Sequence, residues 1–247
     1  LMKNLKLQDS ILSERGKQAL KEIIIKHQNA FVGPDGQIGC YRGPIQHSIT
    51  LINSDRFINE RPRRIPPALK EIVQEQIKDM LKQKIIRPSN SPFCSPIVMV
   101  KKADNKSYRM AIDYRRINAE TKKQANYLPL IADIVDKVSG KTYYSNFDMQ
   151  SGFMQILMKE EDIPKTAFAV DADVYEFIRM PFGLTGAPWS FQSVMNRIKN
   201  EIKAAIYCYL DDAVVVSETE EAHLKDIEEF LSVMEENGLK LRMDKCN

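Results

Sequence analysis

The sequence predicts an α+β protein in which helices pack against a mostly antiparallel sheet, and three observations lead to that class. Apolar residues recur with a helical period in several segments. Short β-rich runs lie between these segments and are bounded by turn residues. The C-terminal half arranges its strands and helices in the split βαβ order. The 247 residues contain no internal repeat and no low-complexity tract.

The first predicted elements surround a basic arm. A helix is predicted over residues 13–27 and a glycine-rich turn segment over residues 32–43. Residues 61–67 are predicted to be extended, because each proline in this basic arm disfavours helix in the residue before it. An amphipathic helix follows and is expected to stop at Pro88. Its apolar face comprises Leu69, Ile72, Val73, Ile77, Met80 and Leu81.

The middle of the chain is predicted to consist mainly of strands. The first two strands form a hairpin around a polar turn at residues 103–106, and the third delivers Asp148. One helix, Leu130–Val138, interrupts the strands and ends at Gly140. The predicted strands are Ile97–Lys101, Tyr108–Asp113, Thr142–Phe147, Phe153–Met158 and Val174–Met180.

The last predicted elements are a helix, two short strands and a second helix. The first helix, Pro188–Ala204, has an apolar stripe of Phe191, Val194, Met195, Ile198 and Ile202. The strands Ile206–Leu210 and Val214–Ser217 are separated by residues 211–213. The final helix is expected to begin near Ser217, which forms a capping box with Glu220, and to end at Asn237-Gly238.

Composition and charge narrow the functional classes. Hydrophobic residues make up 43% of the chain, but no apolar run is long enough to span a bilayer, and no signal peptide is visible. The four cysteines form no CxxC pair, which disfavours a zinc site and a disulfide framework and predicts an intracellular protein. Residues 55–126 carry 17 Lys/Arg against 8 Asp/Glu, whereas residues 127–247 carry 12 against 21. This distribution fits a nucleic-acid grip beside a metal-binding floor, and equally fits two solvated faces with a chance bias.

Paired carboxylates give the first chemical signal. Tyr209-Leu210-Asp211-Asp212 places two acidic residues between two apolar strands. Unpaired carboxylates are costly to bury there, and a bound Mg²⁺, which prefers oxygen ligands, would offset that cost. The alternative is a turn that merely favours aspartate.

A third carboxylate, Asp148, ends another predicted strand and precedes a tight turn at residues 149–152. If the two strands are neighbours, Asp148 and Asp211 converge on one edge of the sheet. Three carboxylates can hold two divalent ions about 3.5–4 Å apart, as in two-metal phosphoryl transfer. The alternative is an ordinary aspartate at the end of a strand.

Eight segments of the chain form a recognisable series. They are Ile86–Pro92, Arg109–Asn118, Phe147–Phe153, Glu161–Phe168, Tyr175–Phe177, Met180–Pro188, the YxDD hairpin, and Gly238–Leu241 with Lys245-Cys246. In this order and spacing they resemble the reverse transcriptases of gypsy-class long-terminal-repeat retrotransposons, and the resemblance covers about residues 45–247.

The resemblance implies the fingers and palm of a right-hand polymerase, with a split-βαβ palm sheet that carries its helices on one face. It implies a lead-in segment over 1–54, fingers over 55–121 and 158–181, and palm over 122–157 and 182–247. The thumb, connection and ribonuclease H portions that follow in the family are expected to be missing from this piece.

The resemblance also implies roles for individual residues. The catalytic and metal-binding triad is Asp148, Asp211 and Asp212, of which Asp148 and Asp211 are the principal metal ligands. The backbone carbonyl of Met149 is a further metal ligand, and Tyr209 and Leu210 complete the motif. Lys102 and Arg109 grip the triphosphate of the incoming nucleotide, Phe153 is a steric gate under its sugar, and Phe182 and Gly183 form a wall near it. Three departures stand out: Phe182 replaces a retroviral glutamine, Phe153 replaces a more usual tyrosine, and Trp189 is unexpectedly bulky.

The predicted function is therefore an RNA-directed DNA polymerase that uses two Mg²⁺ ions, or Mn²⁺ in their place. Its expected partners are an RNA or DNA template with a primer, deoxynucleoside triphosphates, and either the missing thumb and ribonuclease H portions or a second subunit, with no membrane. The expected location is a cytoplasmic virus-like particle or the nucleus. One alternative is a catalytically silent remnant that only binds nucleic acid or a partner. An RNA-copying palm polymerase is disfavoured, because Phe153 would reject a ribose 2′-OH.

Overall fold

A computed structural model describes residues 10–102, 107–123, 130–149, 151–210 and 212–247. Within these residues the fold is mixed α+β, with six α-helices and eight β-strands. The helices are α1 (Glu14–Lys26), α2 (Lys70–Lys82), α3 (Arg115–Glu120), α4 (Ile131–Val138), α5 (Ala187–Glu201) and α6 (Glu220–Glu236). The strands are β1 (Ile86–Pro88), β2 (Ile97–Lys101), β3 (Tyr108–Ile112), β4 (Tyr143–Asp148), β5 (Phe168–Val170), β6 (Asp173–Phe177), β7 (Ile206–Tyr209) and β8 (Asp212–Ser217).

The chain divides into two compact units. Unit 1 comprises Leu1–Ile45, Asn126–Gln155 and Trp189–Asn247, and unit 2 comprises Gln46–Ala125 and Ile156–Pro188. The junctions between units thus fall after residues 45, 125, 155 and 188, whereas the predicted segment boundaries fall after residues 54, 121, 157 and 181. The assignment of these segments to fingers and palm stays a prediction.

Unit 1 is built around an antiparallel sheet of strand order β4-β8-β7. Helix α6 packs against β8 and β4, and the rings of Phe147 and Phe230 lie 4.9 Å apart between the sheet and that helix. The predicted apolar stripe of α5 is confirmed, since Phe191, Val194 and Met195 are fully buried. Buried and half-buried residues alternate along β7, as expected for a strand with one face on the core.

The segment before residue 46 is an integral part of unit 1. Ser13 caps α1 by accepting a hydrogen bond from the Gly16 amide, and its hydroxyl donates to Glu220 at the start of α6. The Cys40 amide donates to the Gly238 carbonyl over 2.8 Å. Gly238 has φ +72°, and a Cβ there would lie 2.4 Å from the Cys40 carbonyl oxygen, so glycine is required both by backbone conformation and by space.

Unit 2 contains a three-stranded antiparallel sheet, β1-β6-β5, and the separate hairpin β2-β3. Arg87 of β1 stabilises the three-stranded sheet, because its guanidinium donates to Glu176 and Glu160 over 2.7 Å each. Helix α2 packs beside β1 and β3. The predicted hairpin strands Ile97–Lys101 and Tyr108–Asp113 are confirmed to within one residue, and their turn at 103–106 lies outside the described residues.

Three predicted boundaries are wrong for identifiable reasons. Helix α2 ends at Lys82 and not at Pro88, because Lys84 adopts a left-handed φ of +53° and the chain enters β1. Helix α6 is capped by Thr219 and not by Ser217, which is still paired within β8. Likewise, Asp212 and Ala213 belong to β8 and are not part of a longer loop.

Residues 153–158, which we predicted to be a strand, are instead largely irregular. Gly152–Gln155 form a 3-10 turn, and Leu157 and Met158 make only single bridges, to Arg179 and His47. The strand β6 ends at Phe177, three residues before the predicted end. The elements β1, β5 and α3 were not predicted, because they are too short to give a periodic signal in the sequence.

Two sequence-level expectations concern the chain as a whole. No helix among the described residues is long and apolar enough to cross a membrane. The four cysteines, all within the described ranges, are free thiols, of which Cys94, Cys208 and Cys246 are buried. Burial raises the pKa of the Cys208 thiol to about 12, so it is unsuited to metal binding as a thiolate.

Candidate active site

The ladder between β4 and β8 places two of the predicted carboxylates opposite each other. Its register pairs Asn146 with Val214, Phe147 with Ala213 and, at its end, Asp148 with Asp212. Side chains at directly opposed positions of an antiparallel pair have Cβ atoms about 4.5–5.5 Å apart, and like charges there repel. Asp148 and Asp212 therefore form an acidic pair at one edge of the unit 1 sheet.

The connection between β7 and β8 is short and strained. Tyr209 pairs with Asp212, so the two strands are joined by residues 210 and 211 alone. Leu210 has φ +50°, a left-handed conformation that costs a residue with a branched side chain about 1–3 kcal/mol. Asp211, the third predicted carboxylate, lies outside the described residues.

The turn after Asp148 contains a second residue of this kind, Ser151, with φ +50°. Met149 is buried and forms an antiparallel bridge with Leu241, which fixes the backbone that carries its carbonyl group. Two residues near the acidic pair, Leu210 and Ser151, thus have an unfavourable left-handed backbone, which the surrounding structure must enforce. Such strained residues are common at functional sites.

Phe153 lies four residues beyond Met149, in the 3-10 turn Gly152–Gln155. Its ring packs against that of Phe191 with centroids 5.5 Å apart and is only partly buried. The residue is therefore neither a strand residue, as predicted, nor a fully enclosed core aromatic.

Within the described part of the chain, a lysine forms an ion pair with one member of the acidic pair. The ammonium group of Lys245 lies 3.1 Å from Asp148 Oδ2. Lys245 is the last residue of the 3-10 turn Met243–Lys245. Arg242 immediately precedes this turn, and its amide donates to the Asp148 carbonyl over 2.8 Å. The guanidinium of Arg242 points to another carboxylate, Asp244, which it contacts at 2.9 Å and whose pKa it lowers.

The acidic pair supplies the ligand chemistry that a hard divalent cation requires. Asp148 and Asp212 offer carboxylate oxygens from two adjacent, hydrogen-bonded strands, which suits Mg²⁺ or Mn²⁺. No group of three or more His, Cys, Asp or Glu side chains that could hold a metal occurs in the described ranges, which exclude Asp211. The residues present thus fit a cation site with the two described carboxylates as its protein ligands.

The predicted nucleotide-binding cations share one hairpin of unit 2. Arg109 lies in β3 opposite Val100, and Lys102 follows β2, with its amide donating to the Ser107 carbonyl over 2.8 Å. Because side chains alternate along a strand, Lys102 and Arg109 lie on the same face of the hairpin, and both are exposed.

A glutamine braces this hairpin. The side-chain amide of Gln76, on α2, accepts from the Met110 amide over 2.8 Å and donates to the Tyr108 carbonyl over 3.2 Å. These two bonds satisfy the backbone on either side of Arg109, where β3 pairs with β2 alone among the described strands. The sequence offers no signal for this role, because Gln76 sits among many polar residues of an amphipathic helix.

The loop with Phe182 and Gly183 is also fixed in unit 2. Gly183 has φ +94°, which requires glycine, and the side chain of Asn118 donates to its carbonyl over 2.7 Å and accepts from the Thr185 amide over 2.9 Å. Phe182 is 41% exposed. Asn118 and Lys245 both belong to segments of the family resemblance, which was the available signal for them, although no role followed from it.

The predicted site residues therefore fall into two groups. Unit 1 carries Asp148, Met149, Phe153, Tyr209, Leu210 and Asp212, and unit 2 carries Lys102, Arg109, Phe182 and Gly183. Each group is held by hydrogen bonds within its own unit.

Comparison with known structures supports this architecture. The crystal structure of native prototype foamy virus protease-reverse transcriptase matches with a TM-score of 0.86 at 25% identity, over 98% of this chain and 32% of that one. The foamy viral enzyme in complex with an RNA/DNA hybrid matches with a TM-score of 0.88 at 24% identity, over 97% of this chain and 32% of that one.

Sequence comparison gives the family. The chain is 39% identical over 233 residues to the retrovirus-related Pol polyprotein from transposon 297 of Drosophila melanogaster, covering 92% of this chain and 22% of the relative. It is 33% identical over 248 residues to polyprotein P3 of Commelina yellow mottle virus, covering 96% of this chain and 13% of the relative. The chain thus spans about a fifth or less of the length of these relatives. A family model described as reverse transcriptase (RNA-dependent DNA polymerase) matches residues 100–247, more than half of the chain and all of the acidic edge, so the chain belongs to the reverse transcriptase family.

Proposed function

We propose that this chain is the catalytic core of an RNA-directed DNA polymerase, which adds deoxynucleotides to a primer 3′-OH by two-metal-ion phosphoryl transfer. The observation that carries the proposal is the pairing of Asp148 with Asp212 at the end of the β4–β8 ladder, with Asp211 adjacent in sequence. The family match supports the same reaction class.

In this proposal Asp148 and Asp211 are the principal ligands of the divalent cations, and Asp212 and the Met149 carbonyl complete the ligand set. The ladder holds Asp148 and Asp212 at fixed separation, so that little reorganisation is needed when the cations bind. When bound, Mg²⁺ supplies positive charge at the attacking and leaving oxygens of the displacement. Mn²⁺ has a similar preference for carboxylate oxygen and is expected to substitute.

Unit 2 contributes the groups that bind the triphosphate. Lys102 and Arg109 present two cations from one face of the β2–β3 hairpin, and cations of this type form charge-assisted hydrogen bonds with phosphate oxygens. The Gly183 loop, held by Asn118, lies beside the nucleotide together with Phe182. Phe153 selects deoxyribose by excluding a 2′-oxygen.

The template of the proposed reaction is RNA or DNA paired with a primer. Solved foamy viral relatives are bound to an RNA/DNA hybrid and to double-stranded DNA, which supports both kinds of duplex as partners. Binding of the duplex is expected to be sensitive to salt, because contacts with the phosphate backbone supply much of the affinity of proteins for nucleic acid.

Primer extension with purified protein tests the proposal. Asp148→Asn and Asp212→Asn remove a ligand charge without changing size, and each should lower the rate at least ~100-fold with Mg²⁺ present. Asp173→Asn is the matched control, because it removes the same charge from an exposed strand position of unit 2. Undiminished extension by the Asp148→Asn protein would contradict the assignment, and duplex binding without any extension by the unmodified chain would favour the silent remnant.

A further inference from the structure

The ion pair between Lys245 and Asp148 is the starting point. Lys245 Nζ lies 3.1 Å from Asp148 Oδ2, where the lysine side chain is 51% exposed and the aspartate side chain 19% exposed. The pair thus joins a half-exposed cation to a carboxylate that is largely withdrawn from water.

The backbone on both sides of Lys245 is tied to β4. The Arg242 amide donates to the Asp148 carbonyl over 2.8 Å, and Asn247 exchanges two hydrogen bonds with Asn146, of 2.7 Å and 3.0 Å. The position of Lys245 is therefore set by the same strand that carries Asp148. The ion pair is built into the fold and does not depend on a chance approach of a long side chain.

A positive charge beside the acidic pair reduces the repulsion between its two carboxylates. Asp148 and Asp212 are directly opposed in the ladder, and like charges at opposed positions destabilise a strand pair. Arg242, the basic residue just before this turn, forms its ion pair with Asp244 at 2.9 Å, while its charge is also attracted to Asp148. Among the described residues, Lys245 is the basic side chain that forms an ion pair with Asp148.

We propose that Lys245 is a counter-ion that occupies Asp148 when the site holds no metal and is displaced from Oδ2 when a divalent cation binds. A lysine ammonium is suited to this exchange, because it is a single charge on a flexible stem with three rotatable donors. Lys245 then has two effects. It stabilises the acidic edge of the metal-free protein, and it lowers the affinity of that edge for the metal, since the ion pair must be broken first.

This inference rests on the proposed metal site and deepens it by assigning a regulator of its occupancy. The competing interpretation is an ordinary half-exposed ion pair with no bearing on metal binding, and many such pairs contribute little to stability. The two interpretations differ in whether Lys245 and the metal substitute for each other.

Direct metal binding by the 247-residue chain distinguishes them. Binding of Mn²⁺ is measured by electron paramagnetic resonance of the free ion, at constant ionic strength and without nucleic acid or nucleotide. Lys245→Met keeps most of the length of the side chain without its charge and should lower the Kd for Mn²⁺ about two- to fivefold, the range expected for breaking one partly exposed pair. Lys245→Arg should bind Mn²⁺ as the unmodified chain does. Lys225→Met, on the exposed face of α6 and paired with Glu221, is the control for the loss of one positive charge and should leave the Kd unchanged.

A second measurement protects the test against a general folding defect. In thermal unfolding, Lys245→Met should have a lower Tm than the unmodified chain in metal-free buffer, and added Mn²⁺ should raise its Tm by more than it raises that of the unmodified chain. This larger metal response is specific to substitution of one cation by another, because a merely structural loss would lower Tm equally with and without metal.

The outcomes separate the two levels of the argument. If Mn²⁺ binds and Asp148→Asn weakens the binding at least tenfold, but Lys245→Met does not tighten it, the counter-ion role is overturned while the metal site stands. If Mn²⁺ binding is absent or is insensitive to Asp148→Asn, the proposed metal site itself fails, and the role of Lys245 fails with it. Tighter binding and a larger Tm response in Lys245→Met, with Lys225→Met unchanged, establish the exchange.

Discussion

The acidic site residues of unit 1 lie on a buried three-stranded sheet, whereas the predicted cations of unit 2 lie on an exposed two-stranded hairpin. The acidic pair of unit 1 ends a three-stranded sheet whose inner residues, such as Ala213 and Val215, are fully buried beneath a helix. The cationic pair of unit 2 lies on a two-stranded hairpin, where even the apolar Val100 is 37% exposed. A two-stranded hairpin is only marginally stable by itself and depends on external braces.

This difference matches the chemistry proposed for each group. Metal ligands must keep a fixed separation, because small errors in placement lower both affinity and rate. Groups that bind a triphosphate must admit and release a ligand, and loops and edges of low local stability serve that purpose. We therefore expect substitutions in unit 1 to act mainly on kcat, and substitutions on the hairpin to act mainly on the KM for the nucleotide.

Among the tests of this contrast, removing the two cations of the hairpin should have the largest effect on kcat/KM. Arg109→Ala and Lys102→Ala should each lower kcat/KM for the deoxynucleotide about 10- to 100-fold, because each removes charge-assisted hydrogen bonds to phosphate. Steady-state kinetics with a fixed template–primer measures the effect. Lys101→Ala is the matched control, since Lys101 pairs with Tyr108 and its side chain lies on the opposite face of the hairpin. Equal losses of duplex binding in all three variants would show that these residues are general phosphate contacts.

The stability of unit 2 at acid pH should depend on a buried histidine, His47. Burial lowers the pKa of His47, in unit 2, to about 4 from an ordinary value near 6.5. Since the folded state takes up this proton less readily than the unfolded state, the stability contributed is complete above about pH 6.5 and is lost as pH falls towards 4. The free energy of unfolding should therefore fall by about 2 kcal/mol between pH 7 and pH 5 from this residue alone.

Urea unfolding of the unmodified chain and of His47→Gln at the two pH values measures this loss as a difference, which removes the contribution of the carboxylates. The backbone of His47 bonds to Leu157 and Lys159, so hydrogen exchange should show opening within unit 2 first. In unit 1 burial also lowers the pKa of His223, against an opposing effect of Asp226. An identical pH dependence for His47→Gln and the unmodified chain would refute the role of His47.

The sequence predicted the strong, periodic elements and the acidic edge, and it did so for physical reasons. The apolar stripe of α5 and the alternation in β7 reflect burial against a core, which local pattern records. Asp148 and Asp212 were singled out because each lies beside an apolar strand, and the ladder places them opposite each other, whereas the predicted convergence of Asp148 with Asp211 lies outside the described residues. Residues 153–158 were not predictable, because the pattern of that segment resembles a strand while its backbone is set by the turn at Ser151.

The missed residues share one property, which is that their roles arise from tertiary contacts. Gln76 is one polar residue among several on α2, and only the position of β3 gives it a function. Lys245 is one of many lysines, and only its attachment to β4 brings it to Asp148. Neither hydrophobic period nor turn chemistry contains this information.

The selectivity for deoxy- over ribonucleotides tests whether Phe153, in unit 1, distinguishes the two sugars. Phe153→Val should lower the ratio of kcat/KM for deoxy- over ribonucleotide about tenfold or more while sparing much of the deoxynucleotide activity, because a smaller side chain admits the 2′-oxygen. Phe191→Leu is the control, since the ring of Phe191 packs against Phe153 but is itself fully buried. That variant should lower both activities together by destabilising the core. An unchanged ratio in Phe153→Val would mean that its ring only fills space.

The smallest expected effect concerns the brace of the hairpin. Gln76→Ala removes the two hydrogen bonds that the α2 side chain makes with the backbone at Tyr108 and Met110. Arg109 lies between these two residues, so its backbone should become more mobile while its charge is retained. We expect the KM for the deoxynucleotide to rise about threefold with kcat nearly unchanged, since the net contribution of one or two neutral hydrogen bonds is on the order of 1 kcal/mol and part of it is recovered by water. Gln74→Ala is the matched control on the same helix, because Gln74 is exposed and contacts Asp171 instead of β3. A fall in kcat with unchanged KM would contradict the division of roles between the two units, because it would show that the hairpin also controls the chemical step.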